Sequence, residues 1–437
     1  MKQILAVASV ALALVVLGAA GSLAAGKPSF ADLVANLKSP TAKTRQEAAS
    51  ALGKSRRREA VAPLAALVRD PEVKVRLAVV HALRELRDLA AVPALVTSMQ
   101  DGDPQIREEA LGTLVEIYSE REASDPLGHF LETFSDEYDR ASVPPYTNVD
   151  PSVYRALAAA LADEQKGIRE KAAFALGILD GRSEVRALVG ALQDTEPNVR
   201  GAAATSIGKV GSGEDGKALI PLLGDESTAV RNRVLQALGV AKVREAGPAL
   251  RELYEANRRK DFGLKVLACL SRIGDPAQGD LFRELLQDPD PERRRLAVEG
   301  LARVADTSQL AAFKKDYQRE RNDDIKLSYN FAITLLGDHA FLDSLVLGLS
   351  SKTLGTRARN YLLELGTQFA PELYPYLNDQ DAEIRAHLAD LLAQLGNPDA
   401  IPHLMPLLSD PNTKVADRAN RAVELLKQAP GRVGTAR

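Results

Sequence analysis

Asp70-Pro-Glu-Val-Lys-Val-Arg76-Leu-Ala-Val-Val-His-Ala-Leu-Arg-Glu-Leu-Arg87 is followed, after Asp88, by Leu89-Ala-Ala-Val-Pro93-Ala-Leu-Val-Thr-Ser-Met-Gln-Asp101. In the first part Val73, Val75, Val79, Ala82, Leu83 and Leu86 recur at helical spacing and define one apolar stripe. Leu89, Val92, Leu95 and Val96 define a second. The stretch therefore predicts two helices joined by a tight turn. Neither helix hides its stripe alone, so the hairpin must stack on another like it.

Others like it are present. Counting from Arg76, equivalent arginines stand at Arg45, Arg107, Arg169, Arg200 and Arg231, each 31 residues from the next except for one doubled step between Arg107 and Arg169. The phase then drifts through Gly263, Arg294, Lys326, Gly355, Arg385 and Ala416. A period of about 31 residues falls in the range of solenoids built from supersecondary repeats. Six places before the arginine position stand Asp70, Asp101, Asp163, Asp194, Asp225, Asp288 and Asp379. Asp103, Ser227, Asp290 and Asp381 occupy positions from which a side-chain oxygen caps a helix N-terminus. Pro104, Pro197 and Pro291 follow at the first helical position, where a missing N–H costs nothing.

The Asp-x5-Arg pattern, with Ala and Leu six and seven places beyond the arginine and Gly often next (Leu176-Gly177, Ile207-Gly208, Leu238-Gly239), resembles HEAT repeats. It is most similar to the short HEAT-like repeats named after the phycobilisome bilin lyases, from about Phe30 to Lys427. The resemblance implies an all-α fold, a right-handed α-α superhelix (α-solenoid) of about eleven HEAT-like hairpins. It also implies a structural ladder in which each Asp bonds the backbone and the Arg of an adjoining repeat. The members are Asp70, Arg76, Asp101, Arg107, Asp163, Arg169, Asp194, Arg200, Asp225, Arg231, Asp288, Arg294, Asp379 and Arg385. The alternative is a set of exposed pairs contributing less than about 1 kcal/mol each.

Residues 1–25 stand outside the repeats. Lys2, the apolar run Ile4 to Leu17 and the small residues Ser22-Leu23-Ala24 form a secretory signal. Export to the periplasm or the extracellular space follows as the expectation, with membrane attachment only if the segment stays uncleaved as an anchor. With 45% hydrophobic and 26% charged residues the chain is globular. Its formal net charge of −3 offers no overall field for a polyanion, which argues against nucleic acid. Cys269 is the only cysteine and makes no internal disulfide. Domains are thus a signal at 1–25, a solenoid at 27–427 and a disordered tail at 428–437.

The doubled step marks an insertion at 119–150. Phe130, Phe134, Tyr138 and Tyr146 lie within it and Tyr118 and Tyr154 flank it, in a chain with 5% aromatics and no Trp. Loops of this length are uncommon unless functional or disordered. Tyr138 and Tyr146 are expected to anchor a partner, since aromatics dominate interface hot spots. Phe130 and Phe134 are partner-binding candidates whose competing role is to patch the gap between hairpins.

Catalytic signals are thin. His387 and His403 stand on the two helices of one hairpin without a third ligand nearby, so no metal is expected. The HEAT-like deoxyhypusine hydroxylases hold iron with His-Glu dipeptides, and this sequence has none. Gly211-Ser-Gly-Glu-Asp-Gly216 lacks the Lys-Ser/Thr of a phosphate loop and reads as a turn. Arg56-Arg57-Arg58, Arg258-Arg259-Lys260 and Arg293-Arg294-Arg295 have acidic neighbours and read as solvated loops. Tyr317 and Tyr329 read as core filling. The expectation is a monomeric, non-catalytic exported scaffold without cofactor, binding proteins on the concave face of the solenoid. The alternative is an accessory lyase-like enzyme or ligand-handling protein with a small-molecule site at the insertion.

Overall fold

A computed structural model describes residues 28–119 and 147–428. The signal, most of the insertion and the tail beyond Gln428 lie outside the described residues. The described residues contain helices and no strand. The chain divides into two compact units, 1–117 and 118–437.

In the first unit, α1 (Phe30–Asn36) opens the row. The hairpins α2 (Ala42–Lys54) with α3 (Val61–Ala65) and α4 (Val73–Leu86) with α5 (Val92–Ser98) follow, then α6 (Pro104–Tyr118), whose last residue falls in the second unit. That unit begins with α7 (Pro151–Ala160). The pairs α8 (Lys166–Ile178) with α9 (Val185–Ala191), α10 (Pro197–Val210) with α11 (Gly213–Gly216), and α12 (Thr228–Val240) with α13 (Gly247–Asn257) come next. They are followed by α14 (Asp261–Ile273) with α15 (Gly279–Leu285), and α16 (Pro291–Arg303) with α17 (Leu310–Arg319). Then come α18 (Asp323–Leu335) with α19 (Leu342–Gly348), α20 (Gly355–Leu365) with α21 (Ala370–Leu373), α22 (Ala382–Leu395) with α23 (Ile401–Leu404), and the closing α24 (Thr413–Lys427).

Local chemistry sets the boundaries. The side chain of Asp103 accepts the N–H of Gln105, Asp290 that of Glu292 and Asp381 that of Glu383, while Ser227 caps Val230. Helices α6, α10 and α16 begin on Pro104, Pro197 and Pro291. Between the helices of a pair the chain turns on a residue such as Arg87 (φ 48°), Gly274 (φ 64°) or Gly396 (φ 67°). A short 3-10 turn follows, opened by a side-chain cap from Asp88, Asp275, Asp338 or Asn397.

The first helices of successive pairs pack at small residues. A Cβ on Gly53 would lie 2.6 Å from Cα of Ala82, and one on Gly208 2.6 Å from Cα of Ala237. Backbone thus meets backbone along the row, which only glycine permits. Leu52, Leu83, Leu176, Ile207, Leu238 and Leu392 fill the core beneath it, each buried. The row ends on α24, which buries Val415, Ala419, Val423 and Leu426 and exposes Asp417, Arg421 and Glu424. That amphipathic end gives the last pair a polar cover. No described helix is long and apolar enough to cross a membrane.

Two readings need correction. The segment Gly213–Gly216 is a short helix rather than a turn, because Ser212 and Asp215 form a reciprocal capping box. Arg293-Arg294-Arg295 is not a solvated loop. It lies inside α16, and Arg295 is buried because Glu292 and Glu299, three and four residues away, supply its counter-charges.

Candidate functional site: interhelix clamps and the face they leave open

Each intact rung joins two consecutive repeats. Arg45 donates from Nε and Nη2 to the Asp70 carboxylate at 2.7 and 2.8 Å, while its Nη1 donates to the carbonyls of Ser39 and Pro40. Arg76 does the same to Asp101 (2.6 and 2.9 Å), Arg169 to Asp194 (2.7 and 3.0 Å), Arg200 to Asp225 (2.8 and 3.0 Å) and Arg385 to Asp410 (2.8 and 2.9 Å). The rung Asp also accepts the N–H two residues on, as Asp194 does from Glu196. One carboxylate thus fixes a loop and receives a two-pronged guanidinium, the strongest geometry for such a pair. The hydrogen bonds from Arg169, Arg200 and Arg385 hold the carboxyls of Asp194, Asp225 and Asp410 below their ordinary range.

Asp410 and Arg45 belong to the series although the Asp-x5-Arg spacing misses them. Asp410 has Ala416 six places on, and Arg45 has Ser39 six places before. The usable signal is a spacing of 25 from Arg to the next Asp.

Other members stand apart. Arg107 and Asp163 keep the backbone part of the pattern, Arg107 donating to the Asp101 carbonyl and Asp163 accepting from Gln165. Arg231 donates to the carbonyls of Asp225 and Glu226 and to Thr228 Oγ1, but the residue two before the cap of α14 is Arg258, not Asp. Arg258 turns away to Glu284 and Glu255. Arg294 meets Glu320 at 3.9 Å instead of an Asp, and Asp288 takes Arg293 of its own repeat at 3.5 Å. Asp379 accepts the Asp381 N–H, and among the described residues no arginine forms an ion pair with it.

Where rungs fail, a buried charge network replaces them. Glu299 of α16 accepts from Arg295, from Arg303 Nη1 at 3.0 Å and from the Tyr361 hydroxyl of α20 at 2.5 Å. Arg303 also grips Glu364 of α20 at 2.8 and 3.0 Å and Ser271 Oγ of α14 at 3.1 Å. The Phe331 ring of α18 stacks under Tyr361 at 4.4 Å with Arg303 over its other neighbourhood at 5.4 Å. Burial works to raise the Glu299 carboxyl, and the Arg303 and Arg295 charges outweigh it and hold it ionised. Burial, then the Glu299 charge, pushes the Tyr361 phenol up, so it stays a donor.

A lighter version spans α10. Gly201 leaves space for Arg233 of α12 to lie across, since a Cβ there would sit 2.7 Å from Nη1. Arg233 thereby reaches the Phe174 ring of α8, 5.6 Å away. Burial raises the Glu170 carboxyl, opposed by the Arg233 charge. Both bridges join first helices two repeats apart.

Among the described residues no group of three or more His, Cys, Asp or Glu is placed to hold a metal. His387 lies beside Arg418 and Glu383, while His403 stacks on Tyr374 at 3.8 Å; the two do not meet. Tyr329 is buried against Phe313, and Tyr317 packs edge-on to Phe341. Phe130, Phe134, Tyr138 and Tyr146 lie outside the described residues. Their flanking partners are structural: Tyr118 accepts the Asp150 N–H and Tyr154 donates to the Leu179 carbonyl.

Paired helices stacked in rows and clamped between repeats define an α-solenoid. HEAT repeats match residues 30–102, 70–143, 154–220, 216–302 and 364–430, together more than half of the chain, and the protein belongs to that family. The longest stretch without a match, 303–363, overlaps the region where rungs are missing. Similar solved structures include an engineered protein (TM-score 0.37, 19% identity, 92% of this chain and 99% of that chain). Yeast importin-beta (Kap95p) matches with TM-score 0.49 and 12% identity over 92% of this chain and 62% of its own. The CpcE and CpcF complex of phycocyanin lyase from Nostoc sp. PCC7120 matches with TM-score 0.31 and 18% identity over 65% of this chain and 98% of that chain. No curated protein matches the sequence.

Proposed function

We propose that this HEAT-repeat protein is a non-catalytic, exported scaffold that binds protein partners on the curved inner side of its first-helix row. The observation that carries this reading is the division of labour among its charges. Asp194, Asp225, Glu299 and Arg303 are engaged in joining helices. Polar and charged residues of α10, α12 and α14, among them Asn198, Gln236, Lys265 and Arg272, face solvent as an open strip. Such a strip suits recognition by distributed contacts. Export rests on the signal-like segment at 1–25.

The test is fractionation followed by site-specific photocrosslinking. A crosslinker at Gln236 or Ala268 is expected to capture proteins from the exported fraction, and one at Lys54, in the other unit, is not. Comparing the intact chain with one lacking 119–150 assigns the role of the insertion. Recovery of the chain in the cytosol, or no crosslinked protein at either inner position, overturns the proposal.

A further inference from the structure

The inner strip formed by α10, α12 and α14 is uneven in charge. Its positions follow helical spacing: exposed Asn198 and half-buried Thr205 and Lys209 on α10, exposed Ala229 and Gln236 with half-buried Asn232 on α12, and exposed Asp261, Lys265, Ala268 and Arg272 on α14. Lys265 and Arg272 are exposed, seven residues apart on one face, and no ion pair forms with either among the described residues. Past Asp261 in the first turn of α14, the strip holds no carboxylate.

The boundaries of the strip are electrically quiet. On one side Glu170 of α8 lies against Arg233, and on the other Glu292, Glu299 and Glu364 are taken up by Arg295 and Arg303. Gly239 contributes to the geometry, because a Cβ there would meet the Arg272 stem at 3.2 Å. The Arg272 stem therefore lies against the last turn of α12. Uncompensated cations on a face whose neighbouring acids are already neutralised attract a partner of opposite sign.

We infer that the α10–α12–α14 strip docks an acidic, extended segment of a partner protein, with Lys265 and Arg272 as its charge-reading residues. The inference rests on the scaffold reading and specifies its partner. Three helices packed about 8–10 Å apart span about 20 Å, which is about six residues of extended chain.

The test uses the full chain and a fluorescein-labelled octapeptide of alternating Glu and Gly, read by anisotropy. The wild type is expected to bind it with an affinity that falls as salt rises from about 50 to about 300 mM. Lys265→Glu/Arg272→Glu is expected to weaken binding at least tenfold, and Lys74→Glu in the first unit to leave it unchanged. Lys265→Gln/Arg272→Gln provides the same reading without reversing charge, should the first double variant melt earlier than the wild type. Equal binding of a Gln-Gly octapeptide, no loss in either double variant, or tighter binding of a single-stranded octadeoxynucleotide each overturns the inference. Its failure is separable from that of the scaffold reading. If Gln236 crosslinks the same exported proteins in the wild type and in the double variant, the scaffold stands and the acidic specificity falls.

Discussion

A ladder carboxylate such as Asp225 is nearly enclosed, with 7% of its side chain exposed, and its acceptor capacity is filled by Arg200 and the Ser227 N–H. Arg200→Ala strands that carboxylate, whereas Arg231→Ala removes a guanidinium that is bonded to carbonyls and Thr228 and lies over the Phe262 ring, and strands no carboxylate. Loss of charge-assisted bonds to such an enclosed acid costs about 2 kcal/mol, against less than about 1 kcal/mol for the second change. Urea unfolding of the two single variants is expected to show that order, and equal midpoints would return the ladder to the status of surface pairs.

The same residues set an acid limb. Asp194, Asp225 and Asp410 are held below the ordinary 3.8 by their arginines, so their contribution is fully present above the unfolded value of about 3.9. It is lost as pH falls through the lower folded values. Melting temperature is expected to stay level from about pH 8 to about pH 5 on this account and to drop below about pH 4, less steeply in Asp225→Asn. A decline centred near neutrality would assign the pH response to other groups.

At the scale of helices, glycine has opposite meanings along one chain. Gly208 in α10 abuts Ala237 of α12, while Gly167 in α8 and Gly190 in α9 have open space where a Cβ would go. Helix propensity alone favours alanine at all three by up to about 1 kcal/mol. At Gly208 the clash is with backbone and cannot be relieved by a rotamer, so Gly208→Ala is expected to cost about 1–3 kcal/mol. Gly190→Ala is expected to be neutral or stabilising. Chemical denaturation of both variants checks the difference in sign.

Helical pairing was legible because it is local. The apolar spacing from Val73 to Leu86, the cap at Asp103 and Pro104 at the helix start all act within a turn or two, and the observed α4 runs from Val73 to Leu86 and α6 begins on Pro104. The rungs were legible as a list of residues and less so as pairs. Arg76 reaches forward to Asp101, and what fails at Arg231 is visible only when α13 lengthens the repeat and brings Arg258 to the Asp position. The Glu299 network was illegible. Its partners lie 61 and 62 residues apart, two repeats away, and no short-range pattern joins Tyr361 or Glu364 to α16.

For the molecule as a row of repeats, stability is a sum of neighbour terms, so the question is how far a local opening spreads. Cys269 reports on this for the second unit. It is 4% exposed within α14, and burial pushes its thiol up to about 12, leaving almost no thiolate at pH 8. Alkylation therefore requires α14 to part from α12 or from α16, and Arg303 ties α16 to Ser271 at that second seam. If the network makes α14 to α20 one cooperative block, Cys269 is expected to react with iodoacetamide only through the unfolding of that block. Glu299→Gln, which leaves Arg295 and Arg303 short of a buried counter-charge, costs about 3 kcal/mol and speeds the reaction roughly a hundredfold. Arg45→Ala, in the first unit, is expected to leave the rate unchanged. A wild-type rate that ignores urea below the unfolding midpoint, and ignores Glu299→Gln, would mean that α14 opens alone and that the network holds only its own residues together.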